Sequence, residues 1–149
     1  MTERLPGSVL FCCTMNSVRS PMAEGMLKAL YPKQVFVDSA GVRKQPVDPL
    51  AVEVMDEIGI DISRHRSKAF DDLEDSSFDL IISLSPEAQH TAVEMTRTMA
   101  CDVEFWHTFD PTIVEGTREQ RLAAYRDVRD FLRRKIRERF LRATPAQTG

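Results

Sequence analysis

The sequence predicts an α/β chain: a single three-layer domain whose four-stranded parallel sheet carries helices on both faces. Three observations lead there. Short apolar runs of strand length alternate with longer helix-period segments along the chain. The runs near Val9 and Ile81 are almost wholly apolar, as strands buried on both faces require. The 149 residues suit one domain able to bury roughly 70% of the unfolded chain's surface.

The first strand is expected from about Ser8 to Cys13, followed by a helix from about Ser20 to Leu30 that stops before Pro32. Gln34 to Asp38 reads as the second strand. Asp48-Pro49 opens a helix with Leu50, Val54, Met55 and Ile58 on one side, closed by Gly59. Ser67 to Leu73 reads as a short helix, and Phe78 to Ser83 as the third strand. Ser85-Pro86-Glu87 caps a helix running to about Met99, and Val103 to Trp106 forms the fourth strand. A long helix from Thr117 to about Leu141 places Leu122, Tyr125, Leu132, Ile136 and Phe140 on one stripe, with an arginine-rich, solvated remainder. No repeat or linker interrupts residues 1–149, of which 144–149 read as a frayed tail.

Hydrophobic residues make up 42% and charged residues 29% of the chain, a globular balance. A net charge of -3 gives no footprint for nucleic acid or an acidic membrane. Three cysteines with no signal peptide point to a reducing, cytoplasmic setting without a disulfide framework. No apolar run nears the roughly 20 residues that span a bilayer. No Cys/His cluster has metal-ligand spacing, so no metal is expected.

Chemistry concentrates after the first strand, in Cys13-Thr14-Met15-Asn16-Ser17-Val18-Arg19-Ser20. Backbone N–H groups of Thr14 to Val18 can converge on one oxyanion at the positive end of the next helix. Cys13 lies at the base of that loop, where amide dipoles and a guanidinium favour thiolate, so its pKa is expected below the free value of about 8.5. Arg19, six residues on, can fold back and grip two equatorial oxygens with its planar fork. Ser20 before Pro21 reads as an N-cap whose hydroxyl also reaches the Cys13 sulfur. Asn16 tolerates left-handed backbone angles and can tie the loop to its surroundings. Neighbouring Cys12 should point to the other side of its strand as a buried thiol.

With this loop after its first strand, the chain resembles the low-molecular-weight protein tyrosine phosphatases, whose superfamily also holds the thioredoxin-coupled arsenate reductases. The resemblance extends over Asp38-Ser39-Ala40-Gly41, Val47-Asp48-Pro49, Gly59-Ile60-Asp61-Ile62-Ser63, His65-Arg66-Ser67 and Phe109-Asp110-Pro111. It implies Cys13 as nucleophile, Arg19 as oxyanion clamp and Asp110 as general acid and base. Thr14, Met15, Asn16, Ser17, Val18 and Ser20 would surround the phosphate, with Ser39 in support. The substrate would be a phosphorylated protein or a small phosphomonoester, hydrolysed through a cysteinyl-phosphate with no cofactor.

The chain departs from the phosphatase pattern in several places. Met15 stands where many phosphatases have glycine, and Val18 replaces a second loop cysteine. Thr112-Ile113-Val114 and Arg43-Lys44-Gln45-Pro46 bring no aromatic wall, so phosphotyrosine preference has no support here. Trp106 and Phe109 are left as ring-stacking candidates, with a core role the ordinary one for such residues. His65, His90 and His107 read as surface or core-polar groups, although His107 lies three residues before Asp110. The thioredoxin-coupled reductases need two further cysteines shortly after the third strand, and residues 83–93 contain none. Arsenate reduction with an external thiol, or an oxyanion-binding module without turnover, are the alternatives.

Overall fold

The structure, a computed structural model, describes residues 4–74 and 77–141. Four parallel strands, β1 (Ser8–Cys13), β2 (Phe36–Gly41), β3 (Leu80–Ser83) and β4 (Asp102–Phe105), form one sheet in the order β2-β1-β3-β4. Four helices, α1 (Arg19–Leu30), α2 (Pro49–Asp56), α3 (Pro86–Met95) and α4 (Arg118–Phe140), complete three layers. The tail expected at 144–149 lies outside the described residues.

Alternation along β1 decides which residues serve which layer. Val9, Phe11 and Cys13 face a core that includes Met22 and Leu27 of α1, Val54 and Met55 of α2, and Leu122, Leu132 and Ile136 of α4. Leu10 and Cys12 face the opposite side with Ile81 and with Ala88 and Ala92 of α3. Cys12 is fully buried there, and burial, reinforced by adjacent Cys13, pushes its thiol well up. The stripe Leu122, Tyr125, Leu132, Ile136 and Phe140 is buried as expected, and it also takes in Val128 and Arg129.

Four local expectations change. Ser20 does not cap α1: the N-cap is Val18, without a side-chain cap, and Ser20 sits inside the first turn with its hydroxyl used elsewhere. β2 spans Phe36–Gly41, because pairing with β1 continues to Cys13↔Gly41. The helix expected from Ser67 to Leu73 shrinks to one 3₁₀ turn, Phe70–Asp72, since Lys68 and Ala69 are drawn into bonds with Gly41. α3 ends at Met95 and passes into a 3₁₀ turn, Thr96–Thr98.

Arg118, Arg126, Arg129 and Arg139 of α4 are paired with carboxylates. Arg126 donates to both carboxylate oxygens of Glu57, at 2.8 to 3.2 Å, and Arg129 Nη1 donates to Glu57 at 2.7 Å. These bonds hold the Glu57 carboxyl down at about 2, so the folded state binds fewer protons than the unfolded chain between about pH 4.3 and 2. The resulting stabilisation is complete above that window and is lost as pH falls through it. Glu57→Gln should therefore lower the thermal unfolding midpoint above pH 5 and leave it near that of wild type at about pH 2. Equal midpoints at neutral pH would remove Glu57 from the α2–α4 junction.

Candidate active site

The strand order reverses direction at β1, the switch point at which ligands meet an open α/β sheet, and Cys13 ends that strand. Residues 13–17 form a loop whose five successive carbonyls are all tied outward. Val42, Arg43, Gln45 and Asp48 donate their backbone N–H to Cys13, Thr14, Met15 and Ser17 at 2.8 to 3.1 Å. Ser67 Oγ donates to Asn16 O at 2.7 Å. In a trans peptide the C=O of one residue opposes the N–H of the next. Tying those carbonyls outward turns the N–H groups of Thr14 to Val18 toward the concave side, a nest for an anion.

Gly41 permits the wall of this loop. A Cβ there would lie 2.3 Å from Arg43 O, 2.7 Å from Asn16 N and 2.8 Å from Met15 C, all backbone atoms.

Asn16 holds the loop from beneath, with φ of 52° as its residue type allows. Lys68 N–H donates to Asn16 Oδ1 at 2.9 Å, which fixes the amide orientation. Nδ2 therefore donates to Ser20 Oγ at 2.8 Å and to Ser39 Oγ at 2.9 Å. Ser20 Oγ also hydrogen-bonds Cys13 Sγ, 2.8 Å away. Ser39 Oγ in turn donates to Glu24 Oε1. His65 Nε2 bonds Asn16 Oδ1 at 2.9 Å, and its Nδ1 is 3.6 Å from Glu24 Oε1. Burial pushes the His65 imidazole down while the Glu24 carboxylate opposes that shift.

Arg19, 7% exposed, donates from Nη1 to Thr108 O at 3.0 Å and from Nη2 to Thr14 Oγ1 at 3.5 Å. Asp110 begins a 3₁₀ turn (Pro111–Ile113) and receives Thr112 N and Thr112 Oγ1 on its Oδ1, at 3.0 and 2.7 Å. That arrangement leaves Oδ2 for other work.

Cys13, Thr14, Met15, Ser17, Val18, Arg19 and Asp110 line one cavity of about 290 Å³, together with Gln45, Asp48 and Thr112. No aromatic ring lines it, in keeping with the missing wall read from residues 43–46 and 112–114. Asn16, Ser20 and Ser39 are fully buried and lie behind it. Sequence reasoning gave no role to Glu24, His65, Ser67, Lys68 or Thr108. Only His65-Arg66-Ser67, as a shared motif, hinted at them. Of the ring candidates, Trp106 is core, packed 6.1 Å from Phe11, whereas Phe109 is 54% exposed. His107 stacks on Phe105 at 5.6 Å.

Residues 8–143 match the family described as low molecular weight phosphotyrosine protein phosphatase. An arsenate reductase of Halalkalibacterium halodurans is 36% identical over 141 residues, covering 95% of this chain and 96% of that protein. A solved arsenate reductase in its phosphate-binding state superposes with a TM-score of 0.73 at 31% identity, covering 88% of this chain and 94% of the other. A tyrosine phosphatase of Erwinia amylovora, at 20% identity, shares the fold with a TM-score of 0.71 over 87% of this chain and 88% of its own. A matched span of that length, ending beyond the last strand and containing the whole anion loop, places the chain in the low-molecular-weight phosphotyrosine protein phosphatase family.

Proposed function

We propose that the protein hydrolyses phosphomonoesters through a cysteinyl-phosphate on Cys13. One observation carries the reading: Cys13, Arg19 and Asp110 line one cavity, and the loop between the first two has its carbonyls tied outward. Cys13 Sγ attacks phosphorus in line, forming the S–P bond as the P–O bond to the leaving group breaks, while Asp110 protonates the departing oxygen. Asp110 then takes a proton from water, whose oxygen attacks the phosphocysteine and releases phosphate and the thiolate. Arg19 and the loop amides carry the charge that builds on the equatorial oxygens.

Asp110→Asn keeps the acceptor for Thr112 but cannot donate or take a proton, so kcat for an aryl phosphate should fall about a hundredfold. The Kd for inorganic phosphate should stay within about twofold of wild type. Unchanged turnover would remove Asp110 from the mechanism.

A second reading, arsenate reduction, is favoured by the name that the Halalkalibacterium halodurans relative carries. An internal thiol relay does not suit this chain. Cys101 precedes β4, at the end of the sheet away from Cys13 and roughly 16 Å from it along the strands, far beyond disulfide reach. Electrons would have to come from an external thiol. Parallel assays of p-nitrophenyl phosphate hydrolysis and of arsenite formation with arsenate and glutathione plus glutaredoxin separate the two readings. Hydrolysis without arsenite is expected; arsenite without hydrolysis overturns the phosphatase reading. Absence of both leaves anion binding alone.

A further inference from the structure

We propose that a cleft beside the acid-bearing turn docks an arginine side chain flanking the phosphorylated residue of a protein substrate, an inference that rests on the phosphatase reading above. The cleft, about 360 Å³, lies between the segment after β4 and α4 and is lined by His107, Thr108, Phe109, Asp127, Val128 and Phe131. It adjoins the active cavity through two neighbours in sequence: Thr108, whose carbonyl holds Arg19, and Phe109, which precedes Asp110. A peptide chain advances about 3.3 Å per residue, so a side chain only a few positions from the phosphorylated one reaches this cleft.

Its chemistry selects an amphipathic cation. Phe109 is 54% exposed, a large apolar surface left in water next to the proposed acid. Asp127 and Phe131 stand four residues apart on α4, so a carboxylate and a phenyl ring are neighbours on one helix face. Asp127 has no hydrogen bond or ion pair among the described residues, although Glu57, Asp130 and Glu104 are each paired with arginines of the same helix. The Arg134 guanidinium lies 5.6 Å from the Phe131 ring centroid, which leaves Phe109 as the free ring and Asp127 as the free counter-charge. An arginine fits all of this. Its methylene stem lies on Val128 and Phe131, its plane stacks on Phe109, and its fork meets Asp127. A glutamate would meet the repulsion of Asp127 and Asp110.

The test uses the whole protein with phosphotyrosyl peptides that differ only in carrying arginine, lysine, leucine or glutamate at each flanking position. The best-placed arginine peptide should exceed its glutamate counterpart about tenfold in kcat/KM, mostly through KM, and the gap should shrink at high salt. Asp127→Asn and Phe131→Leu should bring the ratio to within about twofold while leaving p-nitrophenyl phosphate hydrolysis unchanged. A leucine or lysine preference, or an arginine preference that survives in Asp127→Asn, overturns the subsite alone. Hydrolysis of the small phosphate without any of the peptides does the same. Failure to hydrolyse p-nitrophenyl phosphate overturns the phosphatase reading and the subsite with it.

Discussion

Cys13→Ser should lower p-nitrophenyl phosphate turnover by about 10⁴-fold or more while inorganic phosphate still binds. The two halves of that expectation have separate causes. Binding belongs to the loop amides and Arg19, and the outward carbonyl bonds that aim those amides do not involve the sulfur. Turnover belongs to the sulfur. Ser20 Oγ, which accepts from Asn16 Nδ2, is hydrogen-bonded to that sulfur and holds it in place. A serine hydroxyl there stays protonated near neutral pH, and no imidazole lines the cavity to act as its base. Calorimetry of phosphate binding beside steady-state kinetics checks both halves. Wild-type turnover by the serine variant would end the covalent mechanism.

Most parts of this site that were legible in the sequence are made by neighbours in the chain, while Asp110 and Ser39 entered only through the resemblance of their motifs. The span from Ser8 to Ser20 contains a strand, an anion loop, a sulfur and a guanidinium within thirteen residues, and each follows from local chemistry. What stayed hidden is carried by bonds between residues far apart. His65 meets Asn16 across 49 positions, and Arg19 meets Thr108 across 89. No periodicity announces such pairs. The same cause explains the misread segment at Ser67 to Leu73. Its local pattern suits a helix, but Lys68 N–H serves Asn16 and Lys68 O serves Gly41, which keeps the backbone extended until Ala69. Ser20 shows the converse. Its position before Pro21 has the local form of a cap, yet its hydroxyl is committed to the sulfur and to Asn16, and α1 begins at Arg19.

Arg19→Lys should lower kcat/KM for an aryl phosphate about a thousandfold, although the charge is kept. A guanidinium carries five N–H donors. Here one is used on Thr108 O and one on Thr14 Oγ1, and those left lie in the same fixed plane, where two can form a parallel pair to an anion. An ammonium has three donors on a single atom and cannot meet the buried Thr108 carbonyl and two phosphoryl oxygens in one geometry. If it turns to the anion, the carbonyl loses its partner, at a cost of about 1–3 kcal/mol. If it stays with the carbonyl, the equatorial oxygens lose their clamp as charge develops on them. The first outcome appears as a lower thermal midpoint with higher KM, the second as lower kcat at unchanged stability, so kinetics and melting measured together tell which bond the lysine keeps. A lysine variant within tenfold of wild type would show that the planar fork is not what holds the transition state.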